Sequence, residues 1–235
     1  MVKHWLSTFI DLVFPRICFF CGRKLREGFL CESCSKKIVF LTPPLCKRCS
    51  APLTHTNGHL CKSCKNKPYI YDRLISVTYY KEPLISLLHL FKYKQYDFLK
   101  DFFSSLMITH LKKWGFNPTL FDCIVNVPSH PLRIREREYN QTGLLAQNLA
   151  KELKLPLKDN ILQCTKYRLS QTKVSAAKRL TNTRGIFSSQ KDIAGMRILL
   201  VDDVVTTRAT VSECSNVLKN RGAENITVLT LTRAG

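Results

Sequence analysis

The chain has 235 residues, 45% of them hydrophobic, and sets 37 Lys plus Arg against 17 Asp plus Glu for a formal net charge of +20. That length can bury a full core beside a smaller module. The charge either recruits a polyanion, nucleic acid before an anionic membrane surface, or serves solubility alone. No run approaches the roughly 18 apolar residues of a membrane helix. The opening MVKHWLSTFIDLVFPRICFFC carries His4, Asp11 and Arg16 without a small-residue cleavage site. Integral membrane association and secretion are therefore disfavoured, and a cytoplasmic protein is expected.

Eight of the eleven cysteines fall in four CxxC pairs near the start: Cys18/Cys21, Cys31/Cys34, Cys46/Cys49 and Cys61/Cys64. Disulfides need an oxidising compartment that nothing else supports. Zinc fits better, because two intervening residues let one turn aim both sulfurs at a single ion, and four thiolates close a tetrahedron with no position left for water. Two structural zinc ions are expected, paired consecutively by loop length, with a crossed pairing as the alternative. His55 and His59 read as loop residues beside a complete ligand set. Residues 1–70 thus read as a double zinc ribbon that metal folds in place of a large core. Phe19, Phe20, Phe29 and Phe40, interleaved with Lys and Arg, either stack bases or form the ribbons' own small core. The remaining Cys123, Cys164 and Cys214 read as ordinary buried thiols.

Residues 71–235 have the texture of an α/β domain: strand YDRLISVTYY, helix PLISLLHLFKYK, helix DFLKDFFSSLMITHLKKW, strand FDCIVNVP and a final strand ENITVLTLT. The alternation predicts a mainly parallel sheet with flanking helices. Lys92 and Lys94 close the first helix; Lys92 is a further candidate for binding the anionic ligand, or both simply suit the helix dipole. PSHPLRIREREYNQT follows the second strand and offers Arg133, Arg135 and Arg137 with His130 as phosphate donors, or pairs them with Glu136 and Glu138 in a surface ion network. YRLSQTKVSAAKRLTNTRGIF is long and polar, and its Arg168, Gln171, Lys178, Arg179 and Asn182 suit a lid over an anion.

ILLVDDVVTTRAT carries the sharpest signal. Ile198 to Val201 have no polar alternation, as in a strand covered on both faces, so Asp202 and Asp203 are expected where that strand leaves the core. They serve either as a cap for the next helix or as carboxylates for ribose hydroxyls. The loop Thr206, Thr207, Arg208, Ala209 and Thr210 opens onto a helix N-terminus, a natural phosphate cradle.

This stretch resembles the phosphoribosyl pyrophosphate signature of type I phosphoribosyltransferases. With the four CxxC pairs, FKYKQYD, IVNVPSHPLRIREREYNQ and SQTKVSAAKRLTNTRGIF, nearly the whole chain resembles the ComF-type competence proteins. Glu138 and Arg208 stand where that family usually has glycine. The resemblance implies a type I phosphoribosyltransferase-like domain that binds phosphoribosyl pyrophosphate with Mg²⁺. It also implies a role in natural transformation, handling single-stranded DNA at the cytoplasmic side of the inner membrane with a helicase and recombination mediators. A phosphoribosyltransferase of nucleotide salvage is the alternative, with no residue that identifies its acceptor.

Overall fold

The computed structural model describes residues 16–54, 59–65, 69–167 and 185–234. Arg168, Gln171, Lys178, Arg179, Asn182 and His55 lie outside them.

Four parallel strands form the sheet, in the order β1 (Arg73–Tyr79), β6 (Asn225–Arg233), β5 (Arg197–Val205), β2 (Cys123–Asn126). Because successive side chains point to opposite faces, β5 sends Leu199 and Val201 into one core and Ile198 and Leu200 into another. On the first face lie α3 (Leu84–Tyr93), α4 (Leu99–Lys113) and α6 (Gln141–Leu153), which bury Leu87, Phe91, Phe103, Met107 and Leu145. On the second lies α7 (Ala209–Lys219), through Val211, Cys214 and Leu218. Both faces are covered, which is why the aliphatic run of β5 shows no alternation. The result is a parallel sheet with flanking helices, resembling the type I phosphoribosyltransferase fold.

Two features differ from expectation. First, β5 does not end at the aspartates: Asp202 still pairs with Thr230 and Val204 with Thr232, so the strand runs to Val205. Second, a small antiparallel sheet of β3 (Gln163–Cys164) and β4 (Phe187–Ser188) stands beside the main one.

The cysteine-rich segment is built onto this sheet. Cys18, Leu30, Cys31, Cys34 and Ile38 belong to the same buried cluster as Leu84 and Phe91. Phe19 meets Tyr96 edge-on at 5.4 Å and Phe29 stacks on Phe98 at 5.3 Å. These two rings are neither free for bases nor a private ribbon core; they join the ribbon to α4 and the turn before it. The outer edge of β1 is covered as well, with Leu41 N–H donating to Val77 O and Tyr79 N–H to Val39 O. That pairing satisfies edge groups which would otherwise template aggregation.

Candidate functional site

The eight paired cysteines form two clusters, Cys18/Cys21/Cys31/Cys34 and Cys46/Cys49/Cys61/Cys64, in each of which the sulfurs lie within 4.8 Å of one another. Consecutive pairing is therefore the arrangement found, and the crossed alternative is not. A tetrahedron with zinc–sulfur bonds of about 2.3 Å has sulfurs about 3.8 Å apart. The Cys21–Cys31 and Cys49–Cys61 separations of 3.6 Å fit it. The donor set is that of two structural zinc sites. Short helices α1 (Glu32–Ser35) and α2 (Lys62–Lys65) each carry the second cysteine of a pair.

A cavity of about 380 Å³ opens beside the carboxyl ends of β2 and β5, where open sheets of this kind receive ligands. Asp202 and Asp203 line it and are 8% and 7% exposed. Lys92, at the end of α3, reaches Asp203 with a Nζ–Oδ2 distance of 2.7 Å. Its role is thus at the acidic pair and not merely at its own helix dipole. Burial works against the Lys92 ammonium, yet the Asp203 carboxylate outweighs that and holds its pKa above the ordinary value. Burial, then the charge of Asp203, pushes Asp202 up to about 7. The pair therefore combines a carboxylate held against an ammonium with a neighbour that gives up its proton only near neutrality.

The arginine-rich stretch is helical. His130 caps α5 (Pro131–Arg137) by accepting from Leu132 N–H, and Pro131 supplies the favoured first position. Residues four apart share a helix face, so Arg133 and Arg137 line the cavity while Arg135, on another face, is exposed outside it. The expectation of three converging arginines is corrected to two. Glu136 accepts from Tyr167 Oη at 2.7 Å.

From the Thr-rich loop, Thr210 in the first turn of α7 lines the cavity, whereas Thr206, Thr207, Arg208 and Ala209 do not. Arg208 has φ 66° and Glu138 φ 67°. Both positions where glycine was expected thus have the left-handed backbone that glycine takes at no cost, and each side chain there carries about 1–2 kcal/mol of strain. Arg208, read with its loop as part of the phosphate cradle, does not place its guanidinium in the cavity. That group turns away, donating to Tyr69 Oη at 3.1 Å and to Cys64 Sγ at 3.5 Å.

Some lining residues carry no motif that would single them out in the sequence. Gln141 is 2% exposed, accepts from Arg137 through Oε1, and has no partner for Nε2 among the described residues. Gln141 lines the cavity, and a buried amide donor without a partner carries a cost that a ligand oxygen could relieve. Its only signal is its place in REYNQT, at the start of an apolar helix. Tyr93, Lys166, Ile186 and Phe187 also line the cavity. So does Cys164, which was expected to be an inert buried thiol.

A double zinc ribbon domain model matches residues 9–65, and a phosphoribosyl transferase domain model matches residues 143–235. Competence protein F of Haemophilus influenzae is 31% identical over 224 residues, covering 92% of this chain and 96% of its own. DNA utilization protein YhgH of Escherichia coli strain K12 is 31% identical over 228 residues, covering 94% and 99%. Competence protein ComFC of Bacillus subtilis is 29% identical over 164 residues, covering 68% and 63%. Among solved structures, a purine phosphoribosyltransferase from Pyrococcus horikoshii is similar at 16% identity over 58% of this chain and 83% of its own. Its TM-score of 0.37 is too low to add weight.

Proposed function

The chain belongs to the ComF-type competence proteins, and from that premise we propose that it is a DNA-uptake factor. In this reading it binds single-stranded DNA in the cytoplasm, peripheral to the inner membrane, in company with a helicase and recombination mediators. Its cavity receives phosphoribosyl pyrophosphate or a related nucleotide. Among the described residues no helix is long and apolar enough to cross a membrane.

The observation that carries the ligand reading is the meeting, in one cavity at the strand ends, of two buried carboxylates, two arginines and the first turn of α7. Ribose hydroxyls donate to carboxylates, and phosphates accept from guanidinium groups and from helix N–H groups. The unpartnered Gln141 amide supports the same ligand with a further donor. Carboxylates are also the hard oxygen donors that Mg²⁺ prefers, so Asp202 and Asp203 are the residues that would hold an ion able to offset pyrophosphate charge.

Replacing both Asp202 and Asp203 by Asn removes charge and keeps shape. Calorimetry with phosphoribosyl pyrophosphate and Mg²⁺ is expected to show binding to the native protein and binding to the double variant weaker by about tenfold or more, the worth of one charge-assisted hydrogen bond. Equal affinity would sink the reading. Pyrophosphate release in the presence of candidate acceptor bases separates a binding module from a salvage transferase.

A further inference from the structure

Arg208 joins two parts of the molecule that the functional reading treats separately. Its backbone, at φ 66°, is the N-cap of α7, the last residue before the helix whose first turn faces the cavity. Its side chain ends at the second cysteine cluster. There Cys64 Sγ accepts from Arg208 Nη1 at 3.5 Å and from Tyr69 Oη at 3.0 Å, and Tyr69 Oη accepts in turn from Arg208 at 3.1 Å. The guanidinium carbon lies 5.4 Å from the centre of the Tyr69 ring. Arg48 lies 5.1 Å from the same ring and donates to Tyr69 O, which ties this corner to the ribbon.

Four thiolates around one Zn²⁺ leave two negative charges in a partly buried place. Donors to the sulfurs offset that charge and orient the ligands. A glycine at 208 adopts the same backbone but offers no group that reaches the metal site. The strain of a left-handed arginine is thus sustained by what its far end holds.

We propose that Arg208 is a positioning residue that couples the second zinc site to the first turn of α7, which faces the cavity. Zinc at Cys46, Cys49, Cys61 and Cys64 holds the guanidinium, the guanidinium fixes the start of α7, and phosphate binding at the first turn of that helix holds zinc in return. The phosphate half rests on the ligand reading above; the metal half does not. Such coupling is reciprocal, because each ligand must change the other's affinity by the same factor.

The test is release of zinc from the two-zinc protein to a chromogenic chelator, followed as two phases. Arg208→Gly is expected to speed one phase about tenfold or more, the usual consequence of removing a donor to a metal ligand, and to leave the other unchanged. In the native protein, saturating phosphoribosyl pyrophosphate slows that same phase; in Arg208→Gly it does not. Tyr69→Phe, which keeps the ring and removes the hydroxyl, accelerates the same phase and serves as the second variant should Arg208→Gly not fold. Unchanged phases in both variants would overturn the inference. Binding without any effect on zinc release in the native protein would overturn the coupling while leaving the functional reading intact. Absence of calorimetric binding to the native protein would remove the functional reading and the phosphate half with it, and the ligand-free phases would still decide the metal half.

Discussion

Asp202 sits in the interior of a strand, in a place where most side chains of β5 are aliphatic, and its environment makes its charge expensive. With its pKa raised to about 7 against about 3.9 in an unfolded chain, the folded protein keeps a proton that the unfolded chain has already lost. Below about pH 4 the carboxyl is neutral in both states and costs nothing. As pH rises toward about 7 the ligand-free fold loses stability, and the full loss is present above that. Asp202→Asn keeps the acceptor for Asp203 N–H, a 2.9 Å bond, and deletes the charge. The variant should match the native protein near about pH 4 and exceed it at about pH 8 by a few kcal/mol, at about 1.4 kcal/mol per unit of pKa difference. Thermal unfolding across pH checks this, and a difference that does not vary with pH would refute it. A site that sacrifices stability to keep a buried carboxylate is what ligand binding demands of its residues.

At the scale of elements, the first ribbon and the sheet share a core. Cys18, Cys31 and Cys34 pack in the cluster that holds Leu84, Phe91 and Phe103, and residues 39–41 pair with the edge of β1. Cys31→Ser should therefore weaken the larger domain and not only the ribbon. Unseating Phe19 and Phe29 alone is worth at least ~2 kcal/mol by analogy with large aromatic truncations. Hydrogen exchange of β1 and α3 amides reports it; full protection there, with residues 16–41 exchanging freely, would show two independent units. The same elements show what was legible in the sequence. CxxC pairs are local, so their spacing announces both sites. The aliphatic run of β5 announces a strand covered on both faces. Its extension past Asp202 was not legible, since it depends on Lys92 and on Thr230 and Thr232, partners far along the chain. Strands of two residues, β3 and β4, are too short for any periodicity to show. Arg135 is separated from Arg133 and Arg137 by helix phase, and PLRIRER, in which Leu132 and Ile134 alternate with arginines, has no apolar stripe of helical spacing from which that phase could be read.

For the whole molecule, the proposed ligand is single-stranded DNA, which the +20 charge suits, and the fold decides which groups could serve it. Phe19 and Phe29 are spent on internal packing. Trp114 at the end of α4 is 43% exposed, with the Lys113 ammonium 5.5 Å from its ring. It borders a second cavity, of about 430 Å³, which Lys47 and Arg73 also line. Phosphate neutralisation and base stacking respond differently to salt, because counterion release belongs to the first and not to the second. Replacing Lys36, Lys37 and Lys47 together by Gln should lower the slope of log affinity against log salt by about 0.7 for each phosphate that these lysines neutralise. Trp114→Ala should reduce affinity by roughly 1–3 kcal/mol at every salt concentration and leave the slope alone. Fluorescence anisotropy with a labelled oligonucleotide, from low to physiological salt, measures both. A native affinity that stays flat across that range would mean that the surplus positive charge serves solubility and that phosphate groups are not what this protein uses to hold DNA.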